Sequence, residues 1–177
     1  MNPLTWFSSL VTPYADYGPL AARLALGIIF VAHGAQKLFG WFGGPGLRAT
    51  NQLFGQLGVR PGAFWGTLVG GVEFFGGACV LLGLVTREAA LALALVMIGA
   101  IWLVHWPHGF FLDHTGPRHG IEFNVALLGL ALALVLTGGG ALALDGWLAL
   151  ESASSRASIE SEVTAKPRLA ERPALTP

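Results

Sequence analysis

The stretch from Arg23 to Gly46, RLALGIIFVAHGAQKLFGWFGGPG, constrains this chain more than any other. It is apolar over the length of a membrane span, yet it carries Arg23, His33, Gln36 and Lys37. An ionisable group in hydrocarbon is costly unless it is paired, hydrated or close to the membrane boundary. The rest of the chain must therefore supply partners for these groups.

Composition sets the class. Of 177 residues, 54% are hydrophobic and 11% charged, against about 25% charged in soluble domains. The mean hydropathy is +0.63, and so short a soluble chain could not bury this much apolar surface. An integral membrane protein of the all-α class is expected. The formal net charge is zero, which removes the electrostatic case for nucleic acid. The single cysteine, Cys79, cannot make an intramolecular disulfide or a CxxC pair. Redox chemistry would need another electron carrier.

Four segments have spanning length, at about 20 residues per span. They are Pro19 to Phe39, Pro61 to Leu84, Arg87 to Trp106 and Ile121 to Thr137, the last being the shortest. No basic n-region or cleavage site marks a signal peptide, so the first is read as a retained span. Gly43-Gly44-Pro45-Gly46 ends it, Pro61 suits the first turn of the second, and Thr86 is placed to cap the third. Pro107 closes the third span, and Gly116-Pro117 breaks the chain before the fourth.

Residues 1–18 carry Trp6, Phe7, Tyr14 and Tyr17, which favour the membrane–water boundary, and are read as a short interfacial segment. Residues 19–148 form the membrane domain. Residues 149–177, rich in Ser, Ala, Pro and mixed charge, are read as a disordered tail. The distribution of Lys and Arg near the spans is finely balanced, and the orientation favoured is both termini in the cytoplasm.

Successive helical residues turn by 100°, so Arg23, Gly27, Phe30, His33, Gly34 and Lys37 fall within about 120° of arc. A stripe of small and polar residues faces other helices rather than lipid. On the second span Gly66, Gly70, Glu73, Gly76 and Gly77 share a face. Glu73 lies about 18 Å into that span and needs a cation, a donor or a proton. Arg23, His33 and Lys37 are the candidates, and depth favours His33. Antiparallel topology brings His33, Lys37, His105 and Glu122 to one membrane face, with Asn124 nearby. A metal site from His105, His108, His114 and His119 matches no defined ligand spacing, and no metal is expected. Cys79 reads as a packing residue.

These residues resemble the DoxX family of small four-helix membrane proteins. The likeness rests on Arg23 to Gly46, on VGGVEFFGGACVLLGLVTR, on HWPHGFF and on GIEFNVALLGLALAL, and spans about residues 19 to 148. The His33-to-Gly46 string is its specific part. The ending GGGALALD, Gly138 to Asp145, is similar to the family's close of the fourth helix, but Ala143 stands where the family more often has Ser. With that partner missing, no hydrogen-bond role is assigned to Asp145.

The resemblance implies an integral membrane four-helix bundle in the plasma (inner) membrane. It also implies association with an oxidoreductase that is quinone-linked or handles thiols and oxidative stress. His33, Lys37 and Glu73 are the candidate catalytic residues, with His33, Lys37, His105 and Glu122 as candidates to hold a quinone. An imidazole titrates near neutrality and can shuttle protons; Lys37 can stabilise a developing oxyanion. No flavin site is legible. Expected partners are the lipid bilayer, a soluble or membrane oxidoreductase subunit and, as an open alternative, a second copy of the chain. The competing reading is a non-enzymatic scaffold or a transporter of small solutes or lipid. A quinone site predicts an apolar cavity beside His33 and Lys37, a scaffold predicts tight glycine packing without one, and a transporter predicts a polar passage to water.

Overall fold

The computed structural model describes residues 2–112 and 119–149, together with 154, 156, 157 and 160. The segment read as a C-terminal tail lies outside the described residues, those four and residue 149 apart. Helix α1 (Pro3–Val11) runs through a 3-10 turn (Thr12–Tyr17) into α2 (Gly18–Phe39). Trp6, Phe7, Leu10, Tyr14 and Tyr17 are all exposed on this entry segment. After a glycine-rich loop comes α3 (Gly46–Gln56).

The second long helix is composite: α4 (Gly62–Gly71), a π-helical turn (Val72–Gly76) and α5 (Gly77–Leu82). So is the third, with α6 (Thr86–Ala100), a π-helical turn (Ile101–His105) and a 3-10 turn (Trp106–His108). The chain returns through α7 (Glu122–Thr137). The helices through Phe39, over Gly62–Leu82 and over Thr86–His108 are long and apolar enough to cross a membrane. The last apolar helix has 16 residues, the short fourth element that the sequence anticipates.

The core runs along the bundle axis through Leu26, Phe30, Val80, Leu93, Leu127 and Leu134, each at most 4% exposed. Lipid is as apolar as these side chains, so close packing and hydrogen bonds must hold helices together in a membrane. The glycines do this between α2 and the second long helix. A Cβ on Gly34 would lie 2.3 Å from the Phe74 nitrogen, and one on Gly77 2.8 Å from the Val31 nitrogen. A Cβ on Gly27 would meet the Leu81 Cβ at 2.8 Å. The two backbones touch, as the glycine faces of the sequence predict.

Helix α3 is not anticipated by the sequence reading, which passes from the GGPG turn directly to Pro61. Thr50 explains its placement. Its hydroxyl donates to the carbonyls of Gly46 (2.9 Å) and Lys37 (3.2 Å), which ties α3 to the end of α2. A Cβ on Gly62 or Gly66 would strike Asn51, so α3 also lies flush on α4.

Candidate functional site

The ends of the bundle differ. At the end that holds the start of α2, Arg23 is 2% exposed. Its Nε donates to the Val80 carbonyl, Nη1 to Gly139 and Ala141, and Nη2 to Leu81 and Leu142, at 3.0 to 3.4 Å. All five guanidinium N–H groups are thereby used. Two of the acceptors are carbonyls of the last turn of α5, which an α-helix leaves without intrahelical donors. Gly83, at φ 69°, makes the turn that follows. A Cβ there would sit 2.6 Å from Arg23 Cζ, so a side chain is barred by space as well as by backbone conformation.

Asp145 closes the same end. Its carboxylate accepts from the Val85 N–H (2.6 Å), the Thr86 N–H (2.9 Å) and the Thr86 hydroxyl (2.6 Å). This corrects two expectations. Asp145 does have a hydrogen-bond role without a serine two residues before it, because Val85 at φ 41° turns two N–H groups toward it. Thr86 does not cap its own helix; its hydroxyl is spent on Asp145, which caps α6 from outside. Burial alone would push the Asp145 carboxyl up. The hydrogen bonds from the Thr86 hydroxyl and from the Thr86 and Val85 N–H groups, with the Arg23 charge, outweigh burial and hold it below the usual carboxylate range. Arg87 completes the set by donating to the carbonyls of Val135 (2.5 Å) and Leu136 (2.7 Å) at the end of α7.

Toward the other end the bundle opens. A cavity of about 880 Å³ is bounded by α2, α3, the second and third long helices and α7. Its wall is overwhelmingly apolar. Leu68, Leu95 and Leu103 line it and are also exposed on the outer surface of spanning helices. The few polar groups are His33, Lys37 and Glu73 from the first two long helices, and His105, His119 and Asn124 from the third long helix, the loop after it and α7.

Glu73 is 3% exposed, and its Oε2 pairs with Lys37 Nζ rather than with His33. The depth estimate misleads here because helical side chains lean toward the N-terminus of their helix. Lys37 reaches back along α2 on a four-carbon stem, to the level where Gly34 admits the Phe74 backbone. Gly70 lets the second long helix lie close to the end of α2, since a Cβ there would meet Leu38 Cδ2 at 2.9 Å. Glu73 itself sits in the π-helical turn, and such turns recur at functional sites. The second π-helical turn, Ile101–His105, supplies Leu103, Val104 and His105 to the same cavity.

His33 is exposed and lines the cavity. It lies at the edge of the stripe that buries Arg23, Gly27, Phe30 and Gly34, so it borders the chamber instead of packing between helices. Its imidazole has no hydrogen-bond partner among the described residues. His105 Nδ1 meets the His119 carbonyl at 2.8 Å, which holds the rim of the cavity to the loop before α7. Glu122 is not a wall residue; its Oε1 accepts from the Leu112 N–H at 2.8 Å and pins that same loop. His114 lies outside the described residues.

Sequence reasoning mentioned Asn124 and gave it no role. It is 6% exposed, and its Nδ2 points to Met97 Sδ at 3.6 Å. A thioether is a weak acceptor, so the amide keeps hydrogen-bonding capacity on the side that lines the cavity. The signal was available: Asn124 is the one polar residue between Glu122 and Thr137.

Fold and site together define a multi-pass α-helical membrane protein whose first two spans are joined by a half-buried ion pair beside an apolar chamber. Comparison with known proteins makes the class specific. The DoxX family model matches residues 18–106, and the chain belongs to that family. It is 35% identical to "Putative oxidoreductase CatD" of Bacillus subtilis over 130 residues, 73% of this chain and 86% of the relative. It is 33% identical to "Uncharacterized membrane protein Rv3486" of Mycobacterium tuberculosis, over 71% of this chain and 78% of that one. It is 34% identical to "Inner membrane protein YqjF" of Escherichia coli, over 73% and 91% respectively. No solved structure matches the chain.

Proposed function

We propose that this protein is the membrane subunit of a quinone-linked oxidoreductase, and that the chamber beside Lys37 and Glu73 receives the quinone ring. The single observation that carries this reading is an apolar cavity of about 880 Å³ lined by the half-buried Lys37–Glu73 pair and by an imidazole with no hydrogen-bond partner among the described residues. Ligand cavities of about 300–1,000 Å³, mostly apolar with a few placed polar groups, suit a molecule of this size and character. The name of the Bacillus relative, which calls it an oxidoreductase, points the same way.

The residues present fit such a group. A bound quinone would supply acceptance of two electrons and two protons; the electrons come from a partner protein. Lys37 donates a hydrogen bond and positive charge toward an oxygen placed at the inner wall. Glu73 holds the ammonium in position and keeps the buried charge balanced. His33, free of hydrogen-bond partners among the described residues, carries protons between this pair and the membrane boundary. His105 stands at the rim as the next imidazole outward. Leu68, Leu95 and Leu103 leave an apolar route by which an isoprenoid tail extends into lipid. The membrane is the plasma (inner) membrane, with both termini on the cytoplasmic side.

A scaffold held only by glycine packing has no use for the chamber, and a solute transporter needs a polar passage rather than this apolar wall. The deciding test is titration of a short-chain benzoquinone into the purified protein in detergent, with His33→Ala and Lys37→Met alongside. Saturable binding by the wild type, weakened in both variants, is the expected result. Absence of binding by a folded wild-type protein overturns the reading.

A further inference from the structure

We propose that Asn124 is a ligand-binding residue of the chamber, and that its amide recognises a second oxygen on the ligand. The site would then select a molecule with two oxygens across a ring over one with a single oxygen. This inference rests on the quinone reading and adds to it a residue and a selectivity.

Three observations carry it. First, Asn124 is 6% exposed and lines the cavity. Its amide is therefore withdrawn from the outer surface but not from the chamber. Second, the amide is under-used. Its nitrogen meets only the Met97 thioether, at 3.6 Å, and its carbonyl oxygen has no hydrogen-bond partner among the described residues. An asparagine kept in a core as a structural plug bonds both ends of its amide to protein. Third, the placement is complementary. Lys37 and Glu73 belong to α2 and the second long helix, whereas Asn124 and Met97 belong to α7 and α6. The chamber's polar groups thus come from different helices, among many apolar lining side chains.

The chemistry of an amide suits both redox forms of such a ligand. The second N–H of Nδ2 donates to a ring carbonyl, and Oδ1 accepts from a ring hydroxyl. Neither requires a change in the protonation of Asn124. A carboxylate at this position could only accept while ionised, and an ammonium could only donate. Glu122, two residues before on α7, is already committed to the Leu112 N–H and does not compete.

The test uses two matched ligands, an alkyl hydroquinone and the alkylphenol that lacks one of its oxygens. Each is titrated into the full-length protein in lipid nanodiscs. The wild type is expected to prefer the hydroquinone by about tenfold, the worth of one buried hydrogen bond. Asn124→Leu should bind the hydroquinone about tenfold more weakly, leave phenol binding unchanged and so erase the preference. Met97→Leu removes the thioether but not the amide, and should retain the preference. A purely structural Asn124 would instead lower the affinity for both ligands together. If Asn124→Leu does not fold, Asn124→Ala carries the same comparison. A wild type that binds both ligands, with discrimination intact in the Asn124 variant, overturns this inference and leaves the quinone reading standing. A folded wild type that binds neither ligand removes both.

Discussion

The ends of this bundle use buried charge in opposite ways. Arg23 spends all five of its N–H groups on backbone carbonyls, and Asp145 accepts three hydrogen bonds from the start of α6. Arg23 has no donor left for a ligand. Lys37 and Glu73 have each other, but their pair borders a chamber, and His33 and Asn124 beside it have capacity to spare. A charge whose donors are exhausted by the chain's own backbone belongs to folding. A charge placed against an apolar space with unused neighbours is available for binding. Ionisable residues within spans are functional candidates by default; Arg23 shows that the default must be checked against where the hydrogen bonds go.

The sharpest way to break this comparison is at Arg23. Arg23→Met takes this donor from the carbonyls of Leu81, Gly139, Ala141 and Leu142 and leaves Val80 only the Gly83 N–H, at about 1–3 kcal/mol for each group that water cannot reach. We expect a loss of about 3 kcal/mol or more in stability, read as a lowered melting temperature in detergent, with quinone affinity unchanged per folded molecule. Next comes Gly34→Ala, which pushes a methyl into the Phe74 backbone. Such overpacking costs about 1–3 kcal/mol, and because this crossing seats Glu73 against Lys37, it should weaken both stability and binding.

Asp145→Asn should cost about 1 kcal/mol, the scale of a lost helix cap. Its pH dependence sharpens the assignment. The folded-state carboxyl lies below the usual range, so its contribution is fully present above the unfolded pKa of about 3.9 and is lost as pH falls through the lower folded value. The wild type's advantage over Asp145→Asn should therefore be constant above about pH 5 and shrink below about pH 4. A stability effect no larger than this is expected at Glu73→Gln. Gln keeps the shape but carries no charge to hold the Lys37 ammonium in place, and that side chain, 27% exposed, is free to turn away. A change of about 1 kcal/mol is expected there, at the scale of one hydrogen bond, and it should come with loss of quinone binding.

Much of the fold was legible because membrane physics writes it plainly. Span-length apolar runs, the Gly and Pro that end them, and glycine faces on the first two spans each have one cheap structural outcome. Helix α3 was missed although Leu47, Thr50, Phe54 and Leu57 recur at helical spacing; its low apolarity and the preceding GGPG turn disguised it. The partner of Glu73 was misread because depth was counted at Cα atoms, while Lys37 reaches back by most of a helical turn. Asp145 was set aside because a side-chain partner was sought, whereas two of its three donors are backbone N–H groups that no sequence pattern displays. Asn124 was visible as an exception in an apolar helix, but only its place on the cavity wall gives it meaning.

The central claim is that one end holds the bundle together and the other holds a ligand. It is tested most directly by measuring melting temperature and short-chain benzoquinone affinity on the same preparations of Arg23→Met and Glu73→Gln. The account predicts a double dissociation: Arg23→Met melts much earlier and binds normally while folded, whereas Glu73→Gln melts near the wild type and does not bind. Equal loss of stability in both variants, with quinone binding by Glu73→Gln intact, would contradict it.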